Sequence, residues 1–279
     1  GRIASVNNTR KITSAMKMVA SAKLHKAQAA IESMLPYERR LHHILTDFMS
    51  NCTEVTSPFI VKREVKKVAV VVFASNTSLC GGFNANVIRH LVDLLAEYKP
   101  LGLENILVFP VGKKVADAVR KLGFRIEGDF QHMADKPSYQ EAADLAADLM
   151  KRFLHGDVDK VELLYNHFKS TASQILTRET YLPIDLNNEK KEEERTIDYI
   201  LEPSAEELMQ EMLPKVLRMK MFTVLLDSNA AEHAARTMAM QIATDNANEL
   251  LQELTVMYNK SRQQSITNEL LDIVGGSMA

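Results

Sequence analysis

The last quarter of the chain carries a pattern of apolar and small residues that predicts one very long helix. Residues 215–274 contain neither Gly nor Pro over 60 positions. Within this run an alanine recurs at every fourth position: Ala231, Ala235, Ala239, Ala243 and Ala247. At about 1.5 Å of rise per residue, such a helix would extend roughly 90 Å. A compact core cannot cover that length, so we expect another element to lie alongside it.

The other end of the chain supplies a candidate partner, because residues 2–35 also lack Gly and Pro. One stripe of this helix carries apolar and small residues: Ile12, Ala15, Met16, Val19 and Ala22, with Ala29 a further seven positions on. We expect the two terminal helices to pair as an antiparallel coiled coil through this stripe, with small alanines permitting close approach. An ordinary helical bundle is the alternative that the pattern leaves open.

The C-terminal helix has its own apolar positions, which are Met238, Ile242, Leu250, Leu254 and Met257. A strict four-residue repeat gains about 40° per step on a helix of 3.6 residues per turn. The alanine stripe must therefore wind around its helix, and no single straight seam can hold all five alanines.

Between the helical ends, short apolar runs alternate with helical patterns. Strands are predicted at 68–74, 105–111, 161–166 and 175–184, and helices at 85–98, 113–122 and 138–154. This alternation predicts a small, mostly parallel sheet over about 66–186. The expected fold class is α/β: an antiparallel coiled coil of the terminal helices, residues 1–57 and 203–274, with an inserted Rossmann-like α/β domain.

Local signals refine this picture at both long helices. Residues 189–195 are seven consecutive charged residues, which is typical of a solvated loop. Ser204 and Glu207 have the spacing of a capping box at the start of the second helix. Pro36 and Pro214 fall inside the helical patterns, where we expect them to bend the helices.

Charge and cysteine usage narrow the function classes. The whole chain has a formal net charge of −2, but residues 1–40 carry eight Lys or Arg and only two acids. We expect that basic end to contact an acidic partner. Cys52 and Cys80 form neither a disulfide framework nor a zinc motif, so both are expected to be reduced thiols. No apolar run reaches the roughly 20 residues that span a bilayer, and the start has no signal-peptide character.

The search for a catalytic site is negative. Cys80-Gly81-Gly82-Phe83-Asn84 follows a strand, but it matches no phosphate-binding motif and is predicted to be a tight turn. Gly112-Lys113-Lys114 is predicted to be a second strand-to-helix turn. The eight histidines are scattered, without metal-ligand spacing. We predict no catalytic residue, no cofactor and no metal.

Three segments identify a family resemblance: residues 2–23 (RIASVNNTRKITSAMKMVASAK), residues 235–276 (ARTMAMQIATDNANELLQELTVMYNKSRQQSITNELLDIVGG) and residues 78–84 (SLCGGFN). Together they resemble the gamma subunit of rotary F-type ATP synthases. One departure is Asn76-Thr77-Ser78, where many members carry Asp-Arg-Gly. The resemblance implies a central rotor shaft that couples ion-driven rotation to ATP synthesis or hydrolysis on beta subunits, without a catalytic site of its own.

The resemblance also implies partners and contact residues. The expected partners are the alpha and beta subunits of the catalytic ring, the epsilon subunit and the membrane rotor ring of c subunits, with no nucleic acid. The place would be the cytoplasmic face of the bacterial inner membrane, as a peripheral chain. Residues expected to meet the catalytic ring are Met16, Arg236, Arg262, Gln263, Thr267 and Glu269, with Arg10, Lys11, Lys17 and Lys23 facing an acidic beta loop. Tyr199 and Glu202 would approach the rotor ring.

Two other function classes remain as alternatives. The first is a stand-alone enzyme whose α/β domain binds a nucleotide while the coil makes it a dimer. The second is a nucleic-acid scaffold that uses the basic first helix, and its binding would depend steeply on salt.

Overall fold

The computed structural model describes residues 1–51, 57–184 and 205–277. Two long terminal helices, α1 (Arg2–Asn51) and α6 (Ala205–Ser277), precede and follow along the chain an α/β domain that we call the foot. Its elements in chain order are β1 (Val68–Phe73), α2 (Phe83–Tyr98), β2 (Ile106–Val111), α3 (Lys113–Leu122), β3 (Arg125–Ile126), α4 (Gln131–Asp135), α5 (Tyr139–His155), β4 (Lys160–Ser170) and β5 (Ser173–Leu182). Several sequence predictions lie outside the described residues: Cys52, the charged run 189–195, Tyr199, Glu202 and the cap at Ser204.

The foot is a five-stranded sheet with the order β3-β2-β1-β4-β5. Strands β1 to β4 are parallel to their neighbours, and β5 pairs antiparallel with β4 at the edge. Short apolar runs such as Val68–Phe73 are buried at every position, as expected for strands covered on both faces. The mixed α/β class with a mostly parallel sheet is therefore confirmed.

Alternate side chains of β1 point into two different cores. Val68, Val70 and Val72 pack with the helices α2 and α3. Ala69, Val71 and Phe73 belong to a larger core that contains residues of α5 and the lower part of α6. The long helix thus serves as a layer of the foot before it leaves the foot, which is what fixes the coil to the sheet.

The terminal helices pair antiparallel, as predicted. Arg10 Nη1 lies 3.5 Å from Asn248 Oδ1, and the Thr13 and Thr244 hydroxyls are 2.8 Å apart. Further down, Leu24 of α1 shares a buried cluster with Ala230 of α6. Residue numbers therefore rise along α1 as they fall along α6.

The predicted contact stripe of α1 is wrong. Ile12 and Val19 are 60% and 59% exposed, and Ala15, Ala22 and Ala29 are exposed as well. The face toward α6 instead follows an unbroken three-four spacing of buried and half-buried positions: Ile3, Val6, Arg10, Thr13, Lys17, Ala20, Leu24, Ala27, Ile31 and Met34. This is a heptad seam that contains polar side chains and small alanines beside several larger apolar residues, whereas Ile12, Met18 and Val19 lie on the outer face.

The alanine stripe of α6 does wind, as predicted. Ala231 and Ala235 pack against Cys80 and Phe83 of the foot, whereas Ala247 is buried higher up. The other predicted apolar positions divide in two groups. Leu250 and Leu254 are half-buried, but Met238, Ile242 and Met257 are exposed and do not belong to the seam.

The remaining differences concern lengths and short elements. β4 continues to Ser170, four residues beyond the predicted end, and β3 and α4 were not predicted. Pro36 and Pro214 lie inside α1 and α6, which continue past them.

Candidate interaction surfaces

The crevice where an α/β sheet usually holds a ligand is filled by the chain itself. The β1–α2 turn, residues 74–82, lies at the carboxyl end of β1, the usual place for a phosphate cradle. Asn76 donates from Nδ2 to the Gln131 carbonyl and accepts from the Lys113 N–H, at 2.8 Å each. A Cβ added at Gly112 would collide with the Ala74 carbonyl oxygen, so the two turns are in direct backbone contact.

The turn after β1 has the tight geometry that its glycines predict. Gly81 has φ of +59°, and Leu79, which is largely exposed, has φ of +68°. Asn84 stabilises the turn: its Oδ1 accepts from the Ser75 N–H at 3.0 Å, and its Nδ2 donates to the Thr77 carbonyl at 3.2 Å. The hydrogen bonds of Asn84 therefore already use the Ser75 N–H at the start of the turn.

Arg236 attaches this turn to α6. Its guanidinium donates to the Ser78 carbonyl, to Thr77 Oγ1 at 2.8 Å and to Glu232 Oε1 at 2.7 Å. The Arg236 side chain is only 11% exposed. We predicted a partner contact here, and the structure gives this residue an internal role that the sequence did not indicate.

Two buried titratable residues, Glu232 and His233, precede Arg236 on α6. Burial raises the pKa of Glu232, with Asp135 adding to the rise while the hydrogen bond from Arg236 opposes it. Burial also lowers the pKa of His233 to about 4, and the positive charges of Lys23 and Arg236 lower it further. The His233 Nδ1 has no hydrogen-bond partner in the described residues. This imidazole is therefore neutral at physiological pH.

The upper end of α6 is exposed at every position from 255 to 274. At 1.5 Å per residue, this segment, which we call the tip, is about 30 Å long. Arg262, Gln263, Thr267 and Glu269 all lie on it with exposed side chains. Thr267 donates to the Gln263 carbonyl at 2.9 Å within the helix. Large apolar residues are exposed alongside them: Val256, Met257, Tyr258, Ile266, Leu270, Leu271, Ile273 and Val274.

The outer face of α1 is a second exposed surface. Met16 is half-buried, and Ile12, Met18 and Val19 near it are exposed. The predicted basic residues divide: Lys11 and Lys23 are exposed, whereas Arg10 and Lys17 are half-buried in the seam. The surface thus combines apolar area with positive charge.

Other candidate sites in the described residues are small. A groove of about 210 Å³ lies between the β1–α2 turn, the β4–β5 hairpin and α6.

Residues 1–51, 57–184 and 205–277 contain no cluster of His, Cys, Asp or Glu suited to a metal. Among the described helices, none has an apolar stretch long enough to cross a bilayer. Cys80 is a free, buried thiol.

The fold and these surfaces define a class of protein: an α/β base that carries a paired-helix shaft with an uncovered apolar tip, built to contact other chains. The ATP synthase family model matches residues 1–279. The gamma chain of ATP synthase from Phocaeicola vulgatus is 82% identical over 100% of this chain and 97% of that relative. The gamma chain from Bacteroides fragilis is 64% identical with the same coverage. The chain therefore belongs to the ATP synthase gamma-chain family.

Solved structures share the fold at low identity. A rotor chain of the Euglena gracilis mitochondrial ATP synthase matches with a TM-score of 0.61 and 19% identity, over 95% of this chain and 96% of that chain. A chain from the central stalk and c-ring of the Tetrahymena thermophila enzyme matches with a TM-score of 0.57 and 22% identity, over 84% and 99%. The family assignment confirms the interpretation as the central-stalk gamma chain, a subunit of a complex, over a stand-alone nucleotide-binding enzyme.

Proposed function

We propose that this chain works as a rotating axle whose tip turns inside a ring of alpha and beta subunits, while the foot rests on the ring of c subunits. The observation that carries the proposal is the tip itself. Twenty consecutive helical positions, 255–274, are exposed, and they include eight large apolar side chains. Apolar area of that extent on one segment indicates a surface that a partner covers.

Rotation of such an axle can act on catalysis only through contacts that differ between conformations of the ring. The catalytic sites would lie on the beta subunits, and the axle would present a different face to each of them. The epsilon subunit would bind near the foot, and Tyr199 and Glu202 would approach the c-ring. The complex would hold this chain as a peripheral subunit on the cytoplasmic face of the bacterial inner membrane.

The exposed polar residues of the tip indicate which chemical groups the axle would bind on the ring. Arg262 and Gln263 are adjacent and exposed, and neither side chain has a recorded bond to the rest of the described chain. A guanidinium presents a planar fork that matches a carboxylate with two parallel hydrogen bonds. We assign this pair to acidic or amide groups on loops of the ring, with Thr267 and Glu269 one to two turns further along the helix.

The outer face of α1 would provide the second contact. Met16 and the exposed Lys11 and Lys23 fit an acidic loop of a beta subunit that also carries apolar residues. Individual exposed ion pairs contribute little, so the charges would act together. Arg236 enters this proposal only indirectly, because its guanidinium bonds within the chain.

The test is co-purification of the chain with alpha and beta subunits, followed by rotation-coupled ATP hydrolysis. The double variant Arg262→Ala, Gln263→Ala should assemble poorly or couple poorly while the chain itself folds normally, because both side chains are exposed. The matched control is Arg120→Ala, Gln140→Ala, which removes one exposed arginine and one exposed glutamine from helices of the foot. Unchanged assembly and unchanged coupling in the tip variant would contradict the assignment.

A further inference from the structure

The end of strand β4 lies where three parts of the molecule meet. The half-buried ring of Phe168 packs against the cluster of Leu24, Ala27, Ala230 and Ala234, which joins the two long helices. It also packs against the cluster of Cys80, Phe83, Ala231 and Ala235, which joins the β1–α2 turn to α6. Phe168 therefore packs against two clusters that together contain residues of α1, of α6 and of the segment that follows β1.

Asp227 of α6 holds this strand end in place. Its Oδ1 accepts the Phe168 N–H at 2.8 Å, and its Oδ2 lies 2.6 Å from His167 Nδ1. The Asp227 side chain is 15% exposed, so water competes little for these bonds. The pairing of β4 with β5 becomes irregular between Phe168 and Ser170, as at a β-bulge.

Other side chains near this level tie α6 to separate segments of the foot. Asn229 donates to the Ala134 carbonyl at 2.9 Å, beside α4. Arg236 bonds to the β1–α2 turn. Lower down, the Tyr181 hydroxyl of β5 donates to the Leu217 carbonyl at 2.7 Å. The cluster on which Phe168 packs contains residues of α1 as well as of α6.

The kind of contact matters for transmitting torque. Below Asp227, α6 is held to the sheet mostly by apolar packing, which is driven by a hydrophobic effect without preferred direction. Hydrogen bonds have preferred angles, so the bonds of Asp227 add resistance to rotation of α6 about its own axis. The packing of Phe168 adds apolar contact beside these bonds.

We propose that Phe168, held by Asp227, is a positioning contact that stiffens the joint between the foot and the paired helices, through which torque passes. This inference rests on the rotor function proposed above. The contact touches no substrate, and its loss makes the joint more flexible. ATP hydrolysis in the ring continues, while the angle of the foot follows the angle of the shaft less closely under load.

The experiment uses the whole ATP synthase with Cys52→Ser and a probe on an introduced Lys121→Cys in the foot. Two quantities are measured: the angular spread of the probe during pauses, and ATP-driven ion uptake per ATP hydrolysed in vesicles. Phe168→Ala and Asp227→Ala should widen the spread at least about twofold, with hydrolysis within about twofold of the parent. The uptake ratio should stay unchanged, because foot and shaft belong to one chain and complete the same number of turns. Asp227→Asn keeps an oxygen for the Phe168 N–H and should recover most of the lost stiffness.

The matched controls are Phe124→Ala, a half-buried phenylalanine on the opposite face of the foot, and Asp245→Ala, whose recorded bonds lie within α6. Neither control should change the angular spread or the uptake ratio. A parent probe that fails to rotate would overturn the rotor function itself. Rotation of the parent with an unchanged spread in both variants would overturn the stiffening role. A loss of hydrolysis without a wider spread would overturn it as well, since that indicates a contact needed only for folding or assembly.

Discussion

The lower and upper parts of α6 are continuous helix in opposite environments. From Met209 to Ala235 most apolar side chains are buried against the sheet or against α1. From Val256 to Val274 the apolar side chains are exposed, although this segment carries the same kinds of residues. Composition therefore does not separate a helix that stabilises its own chain from a helix that is prepared for another chain. Only the presence of covering elements in the fold separates them.

The largest expected effect is a difference in the free energy of unfolding between variants in the lower part of α6 and variants in its tip. Leu213→Ala should lower the free energy of unfolding by about 2–5 kcal/mol, because Leu213 is fully buried in the foot core. Leu271→Ala on the tip should change it by less than about 0.5 kcal/mol, because Leu271 is 64% exposed. Denaturant unfolding of the purified chain measures both. A large loss in the tip variant would show that the tip packs within this chain.

Within the lower part, pH provides a second measurement. The pKa of His233 falls to about 4 in the folded chain, compared with about 6.5 when unfolded. As pH falls below 6.5, the unfolded chain takes up a proton that the folded chain does not accept, so stability decreases until about pH 4. The loss from this residue should be about 2 kcal/mol between pH 7.5 and pH 5.

His233→Gln should remove that part of the pH dependence, measured as denaturant midpoints at the two pH values. The raised pKa of Glu232 acts in the opposite direction, so the difference between variant and parent is the informative quantity. His25→Gln is the control, because His25 is exposed on α1. An equal pH dependence in parent and His233→Gln would mean that the imidazole is charged in the folded chain.

The smallest effect belongs to the basic outer face of α1. Lys11→Ala should change the free energy of unfolding by less than about 0.5 kcal/mol, and ATP hydrolysis by less than about twofold, because one exposed charge contributes little. Replacing the two exposed lysines, Lys11 and Lys23, together should weaken association with the beta subunits, most clearly at low salt. If Lys11→Ala alone abolished coupling, a single specific ion pair would have to replace the proposed shared surface.

The sequence predicted the sheet well because each buried strand is a short apolar run bounded by a turn. Val68–Phe73 and the helix Lys113–Leu122 fall within one residue of their predicted limits. The two-residue β3 and five-residue α4 are too short to produce a pattern. The last residues of β4, which include Phe168, have a polar sequence, and their place is decided by contacts with helices that are distant along the chain.

The paired helices show what pattern alone cannot resolve. The prediction placed the larger apolar residues Ile12 and Val19 in the contact, whereas the structure places Ala20 and Leu24 there. A seam that includes Arg10 and Thr13 has low overall hydrophobicity, so its three-four spacing is visible only when polar residues are counted as seam positions. The contact residues that the motifs place on the tip stay predictions. The internal role of Arg236 could not be predicted, because it depends on a turn about 158 residues earlier.

The pairing of Thr13 with Thr244 also sets an order on biosynthesis, because these positions are 231 residues apart. Helix α1 leaves the ribosome before α6 has been synthesised. It therefore stays unpaired while the strands that lie between the two helices in the sequence are made. Contacts between such distant positions close slowly, since the loop entropy is lost before the contact is made. During translation, the seam face of α1, with Ala20 and Leu24, therefore stays exposed to solvent until α6 has been made.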